Sequence, residues 1–178
     1  MYYKDHIGKS SSKHDIDPYL VTAIIDVESG FNKEAVSAKD ARGLMQITEQ
    51  TGKWGFEQLK MDDYDNEKLF IPEVNIEIGT WYLQRLKQEF NGDMDLVLAA
   101  YNGGSGNVTK WLKDKEYSSD GKTLDKIPFK ETENYVKKVN TRYEKYKKMY
   151  GDINFEKEEW DSIFVNYIYR ILDLVKRV

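Results

Sequence analysis

The chain has 178 residues, 40% of them hydrophobic and 13% aromatic, which suits one ordinary domain with a core large enough to need no covalent staples. Its 27 basic residues are scattered among 31 acidic ones for a net charge of −4, which argues against a nucleic-acid binder with a basic face. Cysteine is absent, which removes disulfides, thiolate nucleophiles and zinc–sulfur sites; the only histidines are His6 and His14, so a Ser-His-Asp or His-rich metal site would have to recruit the polar N-terminus.

In chain order, residues 1–13, with Gly8 and Ser10-Ser11-Ser12, read as a flexible segment. Asp17-Pro18 predicts a helix start, an N-cap acceptor followed by proline in the first turn, and Gly30 is placed to end that helix. From Phe31 to Ile47 no period is clean, and a structured loop with a very small β element near 37–47 is expected. A short helix is expected from Thr48, faltering at Gly52 and Gly55. Pro72 opens a longer one, where Val74, Ile78, Trp81, Tyr82 and Leu86 follow three-four spacing as far as Gly92. Asp93 can cap the next, which stops at Gly103-Gly104, and another begins near Ser105. The polar stretch 114–127 reads as the longest surface loop. A helix from about Thr132 carries Tyr135, Val139, Tyr143 and Tyr146 on one stripe until Gly151. Asn154 can cap a last one, with Trp160, Phe164, Tyr167, Ile171, Leu174 and Val178 at four-three spacing. Seven or so helices with short connections make an all-α domain. No apolar run is long enough to span a membrane and no signal peptide is visible, so a protein acting outside the cytoplasm would be represented here by a mature or excised domain.

One carboxylate stands out. On a helix Glu28 lies beside Ile25, Ile24, Val21 and Leu20, all apolar. Burial there disfavours the charged form, and the negative end of the helix dipole pushes the same way. Both effects keep a proton on Glu28 near neutral pH, as a general acid requires. The alternative is that Glu28 caps the stripe at the surface, reaching water or pairing with Lys33 or Arg42.

The surrounding residues fall into four blocks. They are Glu28-Ser29-Gly30-Phe31 with Ala35, Ser37, Ala41-Arg42-Gly43-Leu44-Met45-Gln46-Ile47 and Thr51; Asn75-Ile76 with Gly79, Tyr82-Leu83 and Leu86; Ala99-Ala100-Tyr101-Asn102-Gly103-Gly104 with Gly106, Val108 and Trp111; and Glu131 to Val136 with Val139. Their content, order and spacing over about residues 15–150 resemble the soluble lytic transglycosylases, whose domain is goose-lysozyme-like. The resemblance implies a catalytic domain over 14–151; 152–178 lies outside the matched blocks, and its spacing reads as an amphipathic helix that docks on the domain, links onward or pairs with another copy. It implies Glu28 as the sole acid/base, with Ser37, Met45, Gln46, Tyr101, Asn102 and Tyr135 along the substrate groove. Ser37 could orient the glutamate or hold an acetamido group. Met45 would give a soft apolar contact and Gln46 an amide for sugar oxygens. Tyr135 resembles the family's tyrosine beside the acid. The implied substrate is the peptidoglycan glycan strand, at the β-1,4 bond between N-acetylmuramic acid and N-acetylglucosamine, outside the cytoplasm and without metal or cofactor. Two positions depart from the family pattern: Asp40 where glycine is usual, and Glu49 where proline is common. Asp40 as a water-activating base would make a lysozyme-type hydrolase, with carboxyls about 6.5–9.5 Å apart. A non-catalytic glycan-binding module is the reading of another class.

Overall fold

In a computed structural model, residues 3–150 are described. They form seven α-helices: α1 (Lys4–His14), α2 (Pro18–Ser29), α3 (Glu49–Gln58), α4 (Pro72–Glu89), α5 (Met94–Gly103), α6 (Ser105–Lys113) and α7 (Lys130–Tyr150), with a 3-10 turn at Asn66–Phe70 before α4. The expected helix beyond Asn154, and with it any docking or pairing through 155–178, lies outside the described residues. The β element of the 37–47 loop is reduced to two isolated antiparallel bridges, Val36 with Arg42 and Arg42 with Ile47. The fold is all-α.

The core forms where the apolar stripes meet. Leu96 to Ala100 of α5 are buried on every side, which makes α5 the central helix. It packs against α4, α6 and α7, while α2 lies along α7 and α1 along α4. The punctuation is as the local chemistry demands. Asp17 Oδ1 accepts the Tyr19 N–H at 2.8 Å, and Gly30 ends α2 at φ 56°. Asp93 caps α5 through the Leu96 N–H at 3.0 Å. Asp17 also ties the start of α2 to α7, since its Oδ2 accepts the Tyr143 hydroxyl at 2.8 Å. Asp17→Ala is therefore expected to cost about 2 kcal/mol of stability, cap and cross-helix bond together, read as a lower denaturant midpoint at unchanged slope.

Two expectations are corrected. The segment 1–13 is not a flexible lead: Lys4–His14 is helical and docked. Its inner face is Ile7, Ser10, Ser11 and His14, and only Ile7 is a large apolar residue. The helix is held instead by Glu77 of α4, which accepts from Ser10 Oγ at 2.7 Å, pairs with Lys13 and lies 2.9 Å from His14 Nε2. Polar contacts thus supply what apolar periodicity lacks. Likewise α3 runs through both of its glycines without a break. A Cβ at Gly55 would sit 2.8 Å from the Ile78 side chain, so the glycine is there for close helix packing rather than for a turn.

Candidate active site

Glu28 is the penultimate residue of α2 and is half-buried. Its helical neighbours Val21, Ile24 and Ile25 are wholly buried, as the stripe predicts. Immediately after it the chain reverses through two left-handed residues, Gly30 at φ 56° and Phe31 at φ 66°. A phenylalanine in that conformation is strained, and it persists because the ring packs onto the core. Neither cation suggested as a partner reaches Glu28: Lys33 pairs with Glu34, and Arg42 with Asp40 and Glu67.

Burial is the largest influence on the Glu28 carboxyl and drives its pKa up from the usual 4.5 to about 7. The Tyr135 phenol, as a donor to the ionised form, partly opposes this, and the negative charge of Glu131 reinforces it. Tyr135 is 6% exposed, and its hydroxyl has no hydrogen bond of standard geometry although it faces the acid. A buried hydroxyl left so loosely satisfied is unusual in a well-packed domain, and functional sites are where such groups are tolerated. Tyr101 is the third member of the cluster, close enough to feel Glu28, and burial holds both phenols far above their ordinary range. Both tyrosines therefore stay protonated as donors at any physiological pH.

The loop from Ala35 to Ile47 forms the other wall, and its shape is set from outside. Asn75 of α4 is fully buried. Its amide donates to the carbonyls of Arg42 at 2.9 Å and Leu69 at 2.7 Å, and its Oδ1 accepts the Met45 N–H at 2.7 Å. The loop comes so near the 3-10 turn and α4 that a Cβ on Gly43 would meet the Leu69 carbonyl at 2.3 Å and the Asn75 amide nitrogen at 2.4 Å. Tyr101 completes the attachment by donating its hydroxyl to the Met45 carbonyl at 2.8 Å.

Against that frame the sequence-predicted residues divide. Glu28, Tyr101 and Tyr135 come together. Gln46, at φ 49°, donates its amide to the carbonyls of Ala35 and Gly43 at 3.1 and 3.0 Å, so it braces the loop from within. Ser37 is exposed, and its Oγ accepts from the backbone N–H groups of Ala41 and Lys39; it caps the turn and does not orient Glu28. Asn102 accepts the Thr132 hydroxyl at 2.8 Å, tying the end of α5 to the start of α7. Met45 is a correction. Its side chain is wholly buried, with Sδ against Gly79, so the expected groove contact is a core contact. Asp40 is an exposed turn residue at φ 58°, held by the Arg42 guanidinium at 3.2 Å, and that backbone conformation is why glycine suits the position. Asn75, Phe31 and the charge of Glu131 are contributions that periodicity could not reveal. Among the described residues no group of three or more His, Asp or Glu side chains could hold a metal ion, and no helix is long and apolar enough to cross a membrane.

The family described as "Transglycosylase SLT domain" matches residues 5–124, beginning inside the segment expected to be flexible. The chain is 37% identical over 139 residues to a soluble lytic murein transglycosylase of Salmonella typhimurium, covering 77% of this chain and 22% of that protein. It is 32% identical over 175 residues to a membrane-bound lytic murein transglycosylase C of Edwardsiella ictaluri, covering 83% and 47%. It thus spans from about a quarter to half the length of these curated relatives. Among solved structures, an inactive glutamate-to-glutamine mutant of the lytic transglycosylase Slt from Pseudomonas aeruginosa superposes with a TM-score of 0.76 at 30% identity, over 85% of this chain and 25% of that one. The 70 kDa soluble lytic transglycosylase in complex with bulgecin A gives 0.75 at 32% identity, over 84% and 25%. With the matched region spanning most of its described helices, the chain belongs to the transglycosylase SLT domain family.

Proposed function

We propose that this domain cleaves the β-1,4 bond between N-acetylmuramic acid and N-acetylglucosamine in peptidoglycan, outside the cytoplasm and without water, with Glu28 as the only acid/base. The observation that carries the reading is a carboxyl whose pKa lies near neutrality because of burial, at a helix end beside two tyrosines. A relative of known structure is inactive as a glutamate-to-glutamine mutant, which agrees with a single essential glutamate. In the first half of the reaction, protonated Glu28 gives its proton to the glycosidic oxygen as the bond to the muramoyl C1 breaks, with the substrate's own acetamido group supporting the charge that develops there. Glu28, now a carboxylate, then takes the proton of the muramoyl C6 hydroxyl as that oxygen bonds C1. This closes a 1,6-anhydro ring and restores the acid. The nucleophile is part of the substrate, so effective molarity replaces a second catalytic carboxylate. Tyr135 steadies the carboxylate formed midway. The Tyr101–Asn102 end of α5 and the Ser37 rim of the loop are the proposed path of the strand.

A hydrolase would need a base to activate water, and Asp40 was the sequence's candidate. Its ion pair with Arg42 on an exposed turn disfavours that role. Asp40→Asn is expected to leave the cleavage rate within about twofold, since an exposed ion pair is worth little. Mass spectrometry of digested peptidoglycan tests the reading as a whole. Anhydromuramoyl ends support it; reducing muramic ends would make the domain a lysozyme-type hydrolase, and intact strands a binding module.

A further inference from the structure

A line of aromatic rings leads away from the catalytic cluster, and the site described so far uses only its first member. Tyr101 is followed by Tyr82 with ring centres 5.6 Å apart, and Tyr82 by Trp54 at 6.2 Å, with Trp81 packed edge-on against Trp54 at 4.8 Å. Trp81 is 5% exposed and serves as backing, while Trp54 is 38% exposed, one of the few large apolar side chains left open to water. The Arg85 guanidinium stands 5.9 Å from the Trp54 ring centre. Arg85 is itself exposed; its one side-chain hydrogen bond is a 3.3 Å contact to Gln88, and no carboxylate pairs with it among the described residues. An exposed cation–π contact is worth only about 0.5–1 kcal/mol to the fold, which leaves the indole and the unpaired cation open to a ligand. That pairing does suit a ligand that is apolar on one face and acidic at its edge.

The C–H face of a pyranose ring is apolar and packs on aromatic rings, and an arginine fork takes a carboxylate in two parallel hydrogen bonds. We propose that Trp54 and Arg85 form a distal subsite for an acidic N-acetyl-sugar of the glycan strand, Trp54 carrying the ring and Arg85 the carboxylate of its side group. The inference rests on the proposed function, because continuity with the catalytic cluster through Tyr82 and Tyr101 is what names the occupant.

The test is made in the full chain carrying Glu28→Gln, so that binding is read without turnover. The probes are peptide-free glycan strands, which bear free lactyl carboxylates, and neutral chitooligosaccharides of the same length. Trp54→Ala is expected to weaken both probes by about tenfold. Arg85→Gln, at an exposed position where folding is not at risk, is expected to weaken the acidic strand by about fivefold or more and the neutral one hardly at all. Added salt should shrink the difference between the two probes only while Arg85 is present. Equal affinities for both probes in the parent protein and in Arg85→Gln would overturn the assignment of the carboxylate. Unchanged binding by Trp54→Ala at an unchanged melting temperature would overturn the subsite. The two readings separate cleanly. If the wild type cleaves peptidoglycan while both variants bind as the parent does, the subsite falls and the activity stands. If the wild type cleaves nothing while binding depends on Trp54 and Arg85, the activity falls and the subsite stands.

Discussion

Replacing Glu28 by glutamine is expected to lower glycan-strand cleavage on the order of 10²-fold or more, with the fold intact. Glutamine keeps the size and a hydrogen-bonding amide next to Tyr135, but it can neither give a proton to the leaving oxygen nor take one from the C6 hydroxyl. The same substitution has a second, opposite consequence for stability. Folding raises the Glu28 pKa from the usual 4.5 to about 7, so the folded protein holds that proton more tightly than the unfolded chain does. Below about pH 4.5 both states are protonated and the group's full contribution to stability is present. As pH rises from there to about 7 the unfolded chain releases its proton first and that contribution is lost, by on the order of 3 kcal/mol in total, levelling off above 7. Glutamine titrates nowhere in this range. Glu28→Gln is therefore expected to melt with the wild type at pH 4.5 and above it at pH 8. A variant that is dead as an enzyme yet more stable in alkali is the signature of a buried acid kept for its chemistry.

The largest loss of stability is expected from Asn75→Ala. Asn75 is the partner of the Met45 N–H and of the Leu69 carbonyl, and a second partner of the Arg42 carbonyl, which also accepts the Ile47 N–H. Leaving a buried polar group without a partner costs about 1–3 kcal/mol, and here two are left so at one point, so a loss on the order of 3 kcal/mol is expected from chemical denaturation. Asn75→Asp supplies the control. It keeps an acceptor for Met45 but turns an oxygen toward two carbonyls, and should be no better than alanine. If hydrophobic filling were the role of this side chain, Asn75→Leu would rescue it; rescue is not expected, because leucine leaves the Met45 N–H and the Leu69 carbonyl unpaired.

What could be read in the chain followed from how local the cause was. The ends of α2 are written in Asp17-Pro18 and Gly30, and the buried stripe that lifts the Glu28 pKa is written in Leu20, Val21, Ile24 and Ile25. Local spacing carries both. The docking of α1 was illegible because it depends on Glu77, more than sixty residues away, receiving Ser10, Lys13 and His14. A serine run has weak helical preference and no apolar period, and tertiary contacts override it. The wall formed by residues 35–47 was illegible for the same reason, since Asn75 and Tyr101 hold it from other helices. Met45 shows the error that follows. Its position in the motif was visible, but which way its side chain turns was decided by Gly79, whose missing Cβ leaves the space that the sulfur fills.

The single-acid mechanism requires Glu28 to be protonated near neutral pH, which its apolar neighbours favour. The most direct measurement is an NMR titration of the ¹³C-labelled glutamate carboxyls, with the Glu28 resonance assigned by its absence from Glu28→Gln. A midpoint near 7 is the expected result. A midpoint near the ordinary 4.5 would mean that the carboxyl is solvated and ionised at working pH, and the single-acid mechanism would be contradicted.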